Sequence, residues 1–419
     1  MAVLKLPVLN EEKGGCGSAE ANGSSQNSKF PVLQEDLTFI FNQKIVNGLL
    51  LDGDKLAWHK DRVEAWQRGE RIAPVTIDMA LTRACNARCT FCYAMLQDNE
   101  LAELNNDTTR QTPETIKNFL DDAAEIGVKG VSFVSDGEST VHPYVYDAIL
   151  RGKANGLDMA LGTNGFLLKD ERLPDILPAL TYLRFNISAG EPARYAEIMG
   201  MPEKHFHKVV NTIAKAVQIK KENNLNVTIG MQMVFMPQFR DQLVPLAELG
   251  KKLEVDYLVI KHCSDDEMGS LGVDYREYED TIPDIQAAEA LSTDTYKVIP
   301  KWSKILSDGK RVYQRCYGPP FLLQFSGSGL VAPCGMLFNP RYKNFHIGDI
   351  TKQRFKDIWK SERYWEVMNH LRSEKFDAQK MCGALCLQHK VNERLFYMVE
   401  HGVKIPEPDG KPPLHVNFI

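Results

Sequence analysis

Three cysteines in one short loop, Cys85-Asn-Ala-Arg-Cys89-Thr-Phe-Cys92, carry the most specific chemistry in the chain. Thiolates at spacings of four and three can close on one inorganic cluster. Most iron–sulfur clusters take four cysteines, and no fourth lies nearby. A cluster held by three leaves one iron open to an outside ligand, much as catalytic zinc keeps an open position that structural zinc lacks. The same residues also read as a structural zinc site that borrows a distant fourth cysteine, although zinc modules normally use paired C-x2–4-C knuckles.

A second set lies near the other end: Cys316, Cys334 and the close pair Cys382-Gly-Ala-Leu-Cys386. Four thiolates complete a cluster with no open site, which suits electron transfer or fold support. A zinc ribbon is the alternative, since thiolate-only tetrahedral sites suit both metals. Of the remaining cysteines, Cys16 sits in a Gly/Ser-rich stretch and is incidental. Cys263 ends an apolar run beside Lys261, His262, Asp265 and Glu267, all candidates for substrate contact or proton transfer. Its thiol reads either as a small buried hydrophobe or as a hydrogen-atom donor to a substrate radical.

The composition excludes several classes. The 419 residues are 43% hydrophobic and 25% charged, as in an ordinary globular protein. A net charge of −5 gives no support to a nucleic-acid surface. No apolar run approaches the ~20 residues that cross a bilayer. The start, MAVLKLPVLNEEKGG, lacks a secretory h-region, so the expected location is cytoplasmic. There, clustered cysteines point to metal ligation or catalysis rather than disulfides.

The elements around the first loop alternate. Strands are expected at VTIDMAL, GVSFVS, LDMALGTN, YLRFNISA, NVTIGMQMVFM and DYLVIKHC, with helices between them. Thr112 before Pro113 reads as a helix start, and a helix over VYDAILRGKANG ends at a glycine. Six such units make an α/β fold, a partial (β/α)6 TIM-type barrel, with catalytic groups at the strand C-termini. The expected organisation is a disordered tail over 1–30, an N-terminal extension over 31–72, the barrel over 73–268, an irregular connection with a helix over 269–310, a small hairpin-plus-helix domain over 311–395 and a tail over 396–419.

The C-x3-C-x2-C loop, with Phe91 before its last cysteine and a strand before its first, resembles the radical S-adenosylmethionine superfamily. The resemblance covers about residues 73–267. It implies a [4Fe–4S] cluster on Cys85, Cys89 and Cys92 whose open iron binds S-adenosylmethionine. Reductive cleavage would give a 5′-deoxyadenosyl radical that abstracts hydrogen from a C–H bond. It also implies cofactor contacts: Glu138 in the turn Asp136-Gly137-Glu138, where Asp136 replaces the family's first glycine; Asn164 in Gly162-Thr163-Asn164-Gly165; Asn186 and Ser188 after the fourth strand; Gly230 and Gln232 on the fifth.

Cys316, Gly329-Leu-Val-Ala-Pro-Cys334, His346-Ile347-Gly348-Asp349-Ile350 with Phe355 and Trp359, and the last pair resemble the SPASM/twitch extension of that superfamily. With four cysteines the shorter, twitch-like form and one auxiliary [4Fe–4S] cluster are implied. The spacing of Cys382 and Cys386 departs from the C-x2-C of that extension. The expected partners are a small-molecule substrate, with a peptide as alternative, and an electron donor such as flavodoxin or ferredoxin; no nucleic acid and no membrane. The expected reaction is oxidation or epimerisation of a sugar- or cyclitol-like molecule. A peptide maturase ranks second, because 31–72 is short and irregular for a peptide-binding module. A non-catalytic iron–sulfur or zinc protein ranks third.

Overall fold

Why these residues form these elements is plainest in the helix Pro113–Ile126. The Thr112 side chain accepts from the Thr115 N–H, Pro113 fits the first helical position, and Gly127 ends the helix with φ 96°. Its buried residues Ile116, Phe119, Leu120 and Ala123 recur at helical spacing and face the sheet. The computed structural model describes residues 45–97, 110–383, 385–408 and 410–419. The expected tail 1–30, Cys16 and the start of the 31–72 extension lie outside them.

Ten strands form one sheet: β1 Thr76–Met79, β2 Gly130–Phe133, β3 Asp158–Thr163, β4 Leu180–Asn186, β5 Thr228–Phe235, β6 Tyr257–His262, β7 Lys297–Pro300, β8 Leu322–Phe325, β9 Leu330–Ala332 and β10 Gly348–Asp349. The order is β10-β9-β8-β1-β2-β3-β4-β5-β6-β7. From β8 to β7 every pairing is parallel. Helices cover such a sheet on its outer face, so the strands are buried on both faces. This is the partial TIM-type α/β barrel, and its six expected strands are β1–β6.

Three features differ from the reading of the sequence. The connection 269–310 holds a seventh barrel strand, β7, besides the helix Ile282–Glu289. Its KVIP is too short to show a period. The hairpin in 311–395 is present, but β8 lies in parallel beside β1, so the hairpin continues the barrel's own sheet. The segment from Phe355 is two helices, Phe355–Lys360 and Glu362–Leu371. Ser361 breaks them with an extended backbone, and its hydroxyl caps the second by accepting from Tyr364 N.

The C-terminal residues close the N-terminal mouth of the barrel. Phe418 packs edge-on against Tyr182 at 5.0 Å. His415 Nε2 meets Thr228 Oγ1 at 2.6 Å, Thr76 Oγ1 donates to Asn417 O at 2.7 Å, and Asn417 Nδ2 donates to Asp158 at 2.7 Å. Lys55 also donates to Phe418 O. Leu49 packs on Tyr257 and Val259, next to Leu51 and Ile299. Among the described residues no helix is long and apolar enough to cross a membrane.

The tail is therefore structural, and Phe418→Ala should destabilise the protein by about 3 kcal/mol, as for other buried aromatic truncations. Chemical denaturation measures it. A change below about 0.5 kcal/mol, the size of an ordinary surface substitution, would mean that the tail does not seal the barrel.

Candidate active site and metal centres

The loop after β1 is held from both sides. Thr90 N donates to Ile198 O at 3.0 Å and Arg88 N to Met199 O at 3.2 Å. On the other side Glu138 N donates to Ala84 O at 3.0 Å. Phe91, the aromatic residue before the last cysteine, is buried and meets Phe239 edge-on at 6.4 Å. Cys85, Cys89 and Cys92 are half-buried free thiols. They lie close enough for Cys89 to feel the charge of both others. Burial pushes the Cys85 thiol up to about 12, with the Glu138 carboxylate adding to it. It also pushes up Cys89 and Cys92. Thiols so placed stay protonated until a cation binds, and iron is such a cation.

Glu138 is the best-connected side chain here. Its Oε1 accepts from Thr140 N at 3.0 Å, Thr140 Oγ1 at 2.7 Å and Thr163 Oγ1 at 2.7 Å. Among the described residues its Oε2 accepts only from Asn164 N, at 2.7 Å. Asn164 Nδ2 donates to Asn86 Oδ1 at 2.9 Å, inside the cysteine loop. Asn86 Nδ2 is buried without a partner. Glu138, Asn164 and the three cysteines thus form one constellation.

Ser188 and Gln232 sit one step round the barrel. Ser188 Oγ accepts from Val234 N at 3.2 Å, and Gln232 Nε2 donates to Asn186 Oδ1 at 2.7 Å, in register. Gly230 makes room for the Tyr257 ring, which a Cβ there would meet at 2.1 Å.

At the end of β6, Cys263 is buried with its Sγ 3.8 Å from Phe91 O, so it packs against the cysteine loop. Burial raises its thiol to about 12. Of its neighbours, Asp265 accepts from the backbone N–H groups of Asp266, Leu271 and Val273. Glu267 pairs with Arg341 and Tyr342. These two shape a loop. His262 Nδ1 lies 2.7 Å from Cys263 O, its Nε2 has no partner, and burial pushes the imidazole down to about 3. Lys261 faces into the barrel.

The second cysteine set is brought together from three places. Cys316, Cys334, Cys382 and Cys386 line one cavity with about 650 Å³ of atom-free space, part of it open to solvent, and Arg311 and Tyr313 join its wall. Cys316 feels the charge of the other three, and burial pushes its thiol far up. Asn392 Nδ2 donates to Cys316 Sγ at 3.6 Å, and Lys304 Nζ to Cys386 O at 2.6 Å. Among the described residues no three cysteine, histidine, aspartate or glutamate side chains converge closely enough to hold one metal ion.

Two sequence families match where this geometry lies. Residues 79–249 match the Radical SAM superfamily, and residues 316–386 match SPASM, an iron–sulfur cluster-binding domain. The chain thus carries a Radical SAM domain followed by a SPASM domain. These two domains imply a [4Fe–4S] cluster with S-adenosylmethionine, plus an auxiliary cluster. The chain is 23% identical, over 68% of its length and 81% of the relative's, to a tungsten-containing aldehyde ferredoxin oxidoreductase cofactor-modifying protein of Pyrococcus furiosus. It is 25% identical to an AdoMet-dependent heme synthase of Methanosarcina barkeri, over 76% and 90%. It is 24% identical to a GTP 3′,8-cyclase of Aquifex aeolicus, over 71% and 93%. The fold is shared with SuiB of Streptococcus suis bound to its precursor peptide SuiA (TM-score 0.57, 13% identity, 74% of this chain and 69% of that one). It is also shared with anSMEcpe bound to AdoMet (TM-score 0.52, 14% identity, 75% and 90%).

Asp136, in the turn where the family has glycine, has a job of its own. Its carboxylate accepts from Ser326 Oγ at 2.5 Å and Gly327 N at 2.9 Å, fastening the β8–β9 hairpin to the turn after β2. The sequence could not show this, because the partner lies 190 residues away. Burial holds this carboxyl up to about 6. Because burial already disfavours the charge, Asp136→Asn should cost less than about 1 kcal/mol, whereas Asp136→Ala leaves Gly327 N unpaired at about 1–3 kcal/mol. Denaturant midpoints of the two variants test this. An Asn variant less stable than the Ala variant would overturn it.

Proposed function

We propose that Cys85, Cys89 and Cys92 hold the reactive [4Fe–4S] cluster, and that the protein abstracts hydrogen from a C–H bond of a small polar, sugar- or cyclitol-like substrate, leading to oxidation or epimerisation. The observation that carries this reading is the meeting of three thiols with the Glu138 carboxylate at the C-terminal end of a parallel barrel. When bound, the cluster supplies the electron that cleaves S-adenosylmethionine to a 5′-deoxyadenosyl radical.

The residues around it have separable tasks. An ionised carboxylate has about four acceptor positions over two oxygens. Oε1 of Glu138 already takes three donors and Oε2 one, so Oε2 keeps capacity for the cofactor's ammonium. Asn164 ties that carboxylate to the loop through Asn86. Ser188, just past β4, and Gln232, within β5, are the proposed contacts to the rest of the cofactor. Cys263, packed against the cysteine loop, is the proposed hydrogen donor in the epimerising case. Cys316, Cys334, Cys382 and Cys386 are the proposed ligands of the auxiliary cluster. Four thiolates lining one cavity fit such a cluster, with a zinc ribbon as the alternative. An external flavodoxin or ferredoxin is the proposed electron source.

Relatives named for acting on small molecules, over most of both chains, support the small-molecule reading. A second reading, a maturase acting on a peptide, is supported by the fold shared with peptide-bound SuiB.

Anaerobically reconstituted protein should hold about eight irons, four per cluster. Zinc in the C-terminal site with only about four irons would sink the auxiliary cluster. With reductant and S-adenosylmethionine the protein should form 5′-deoxyadenosine, and Cys85→Ala should abolish it; continued formation would refute the ligand assignment. Deuterium from D₂O in the product, lost in Cys263→Ala, is the expected mark of epimerisation. An unlabelled product oxidised by two electrons marks dehydrogenation.

A further inference from the structure

The barrel interior below the cysteine loop holds charged groups that the cluster reading leaves unused. Strand register stacks them in layers, because alternate residues of each strand share a face. Asp78 on β1 lies in register with Ser132 on β2 and Gln324 on β8. One layer up, Arg184 on β4 lies beside Gly230, which in turn lies beside Tyr257. Asn186, Gln232, Val259 and Ile299 make the next layer. Lys261 follows two residues beyond Val259 on the same face. Lys301 lies just past β7, its N–H on Ile260 O at 2.8 Å.

Among the described residues these cations have few anionic partners. The Arg184 guanidinium lies over the Tyr182 ring at 5.3 Å, and its Nε is buried without a hydrogen-bond partner. The Tyr257 hydroxyl lies beside that guanidinium and interacts with it. Among the described residues the ammonium groups of Lys261 and Lys301 make no hydrogen bond or ion pair. Asp52 lies near Lys301 and supplies some countercharge, while its oxygens accept from Ser303 N at 2.9 Å and Ser303 Oγ at 2.5 Å. Lys304, the next cation, is committed to Cys386 O. Asp78 is the carboxylate that faces Arg184 and Lys261. Burial pushes Lys261 down to about 7 and Lys301 to about 8, while it pushes Asp78 up to about 7. Half-buried cations with so little countercharge are stabilised when an anion joins them.

We propose that this interior anchors the substrate by an oxyanion, a phosphate or a carboxylate, held by Arg184, Lys261 and Lys301. The Arg fork suits two oxygens at once, and lysines add point charge. The tail of Phe418 and His415 closes the floor, so the anion enters from the cysteine-loop side. Lys261 precedes Cys263 by two residues at the end of β6, so the anchored group sits on the side of the barrel that carries this thiol. The rest of the substrate then extends up towards Cys85, Cys89 and Cys92. The orientation of the reacting end rests on the proposed radical reaction; the anion site does not.

The reconstituted full-length protein is titrated by calorimetry, at constant ionic strength, with sodium phosphate, sodium acetate, inositol 1-phosphate and neutral myo-inositol. Each titration is repeated with saturating S-adenosylmethionine. Inositol 1-phosphate should bind at least roughly tenfold tighter than myo-inositol, a modest share of the loss seen when buried charge pairs are broken. Stronger phosphate than acetate binding assigns a phosphorylated substrate, and the reverse assigns a carboxylate. Arg184→Gln and Lys261→Gln should each weaken the preferred anion by about tenfold, and Lys301→Gln serves if either fails to fold. No preference for charged over neutral probes, or unchanged binding in the folded variants, would overturn the proposal. So would displacement of the anion by S-adenosylmethionine, since the cations would then serve the cofactor's own carboxylate. No turnover is needed. Failure to form 5′-deoxyadenosine with anion binding intact would count against the radical reaction alone.

Discussion

One buried carboxylate gathers the strand ends into a site. Glu138 takes donors from the turn after β2 and from the turn after β3, and its own N–H holds Ala84 in the cysteine loop. A buried carboxylate is stable only when its oxygens are satisfied, so these turns cannot move independently. Beneath it the backbones touch. A Cβ on Gly137, whose φ is 115°, would stand 2.2 Å from Thr82 O, and one on Gly327 would stand 2.1 Å from Thr82 C. Thr82 and Arg83 are thus clasped between two glycines, and Asp136 fastens the outer one. The approach to the first cysteine is therefore positioned by residues from three distant parts of the chain.

The barrel itself is closed by elements that lie outside its strands. Residues 49–55 and the last residues pack onto interior side chains at the mouth opposite the cysteine loop. The price of a polar interior is that every charge in it needs company. Asp54 has its own partner in Arg394 at 3.0 Å, and Asp122 on the outside pairs with Arg354 at 2.5 Å. Arg184, Lys261 and Lys301 outnumber the carboxylates beside them, Asp78 and Asp52.

Most of the barrel was legible in the sequence. Apolar runs of four to eight residues bounded by turn residues located β1–β6, because each strand must be buried on both faces. Thr112 with Pro113, and Gly156, marked helix ends through backbone chemistry local to a few residues. The two cysteine groupings were equally visible. What stayed hidden depended on distant partners. β7 carries no local signal, and β8 reads as half of a hairpin until it is seen beside β1. Asp265 and Glu267 looked like proton-transfer groups, but their oxygens are occupied by loop N–H groups and by Arg341 and Tyr342.

By itself, then, the sequence determined the loop of three cysteines, the second set of four, and the alternation that puts the first at a strand end. Spacing and periodicity are short-range properties, and they survive in a string of letters. Only the tertiary structure decided that Glu138 and Asn164 meet that loop, that Asp136 holds a hairpin 190 residues away, and that the C-terminal tail floors the barrel. It alone decided that Arg184, Lys261 and Lys301 share one interior. Parallel strands bring residues together by register and closure, and no local pattern encodes which distant strand becomes a neighbour.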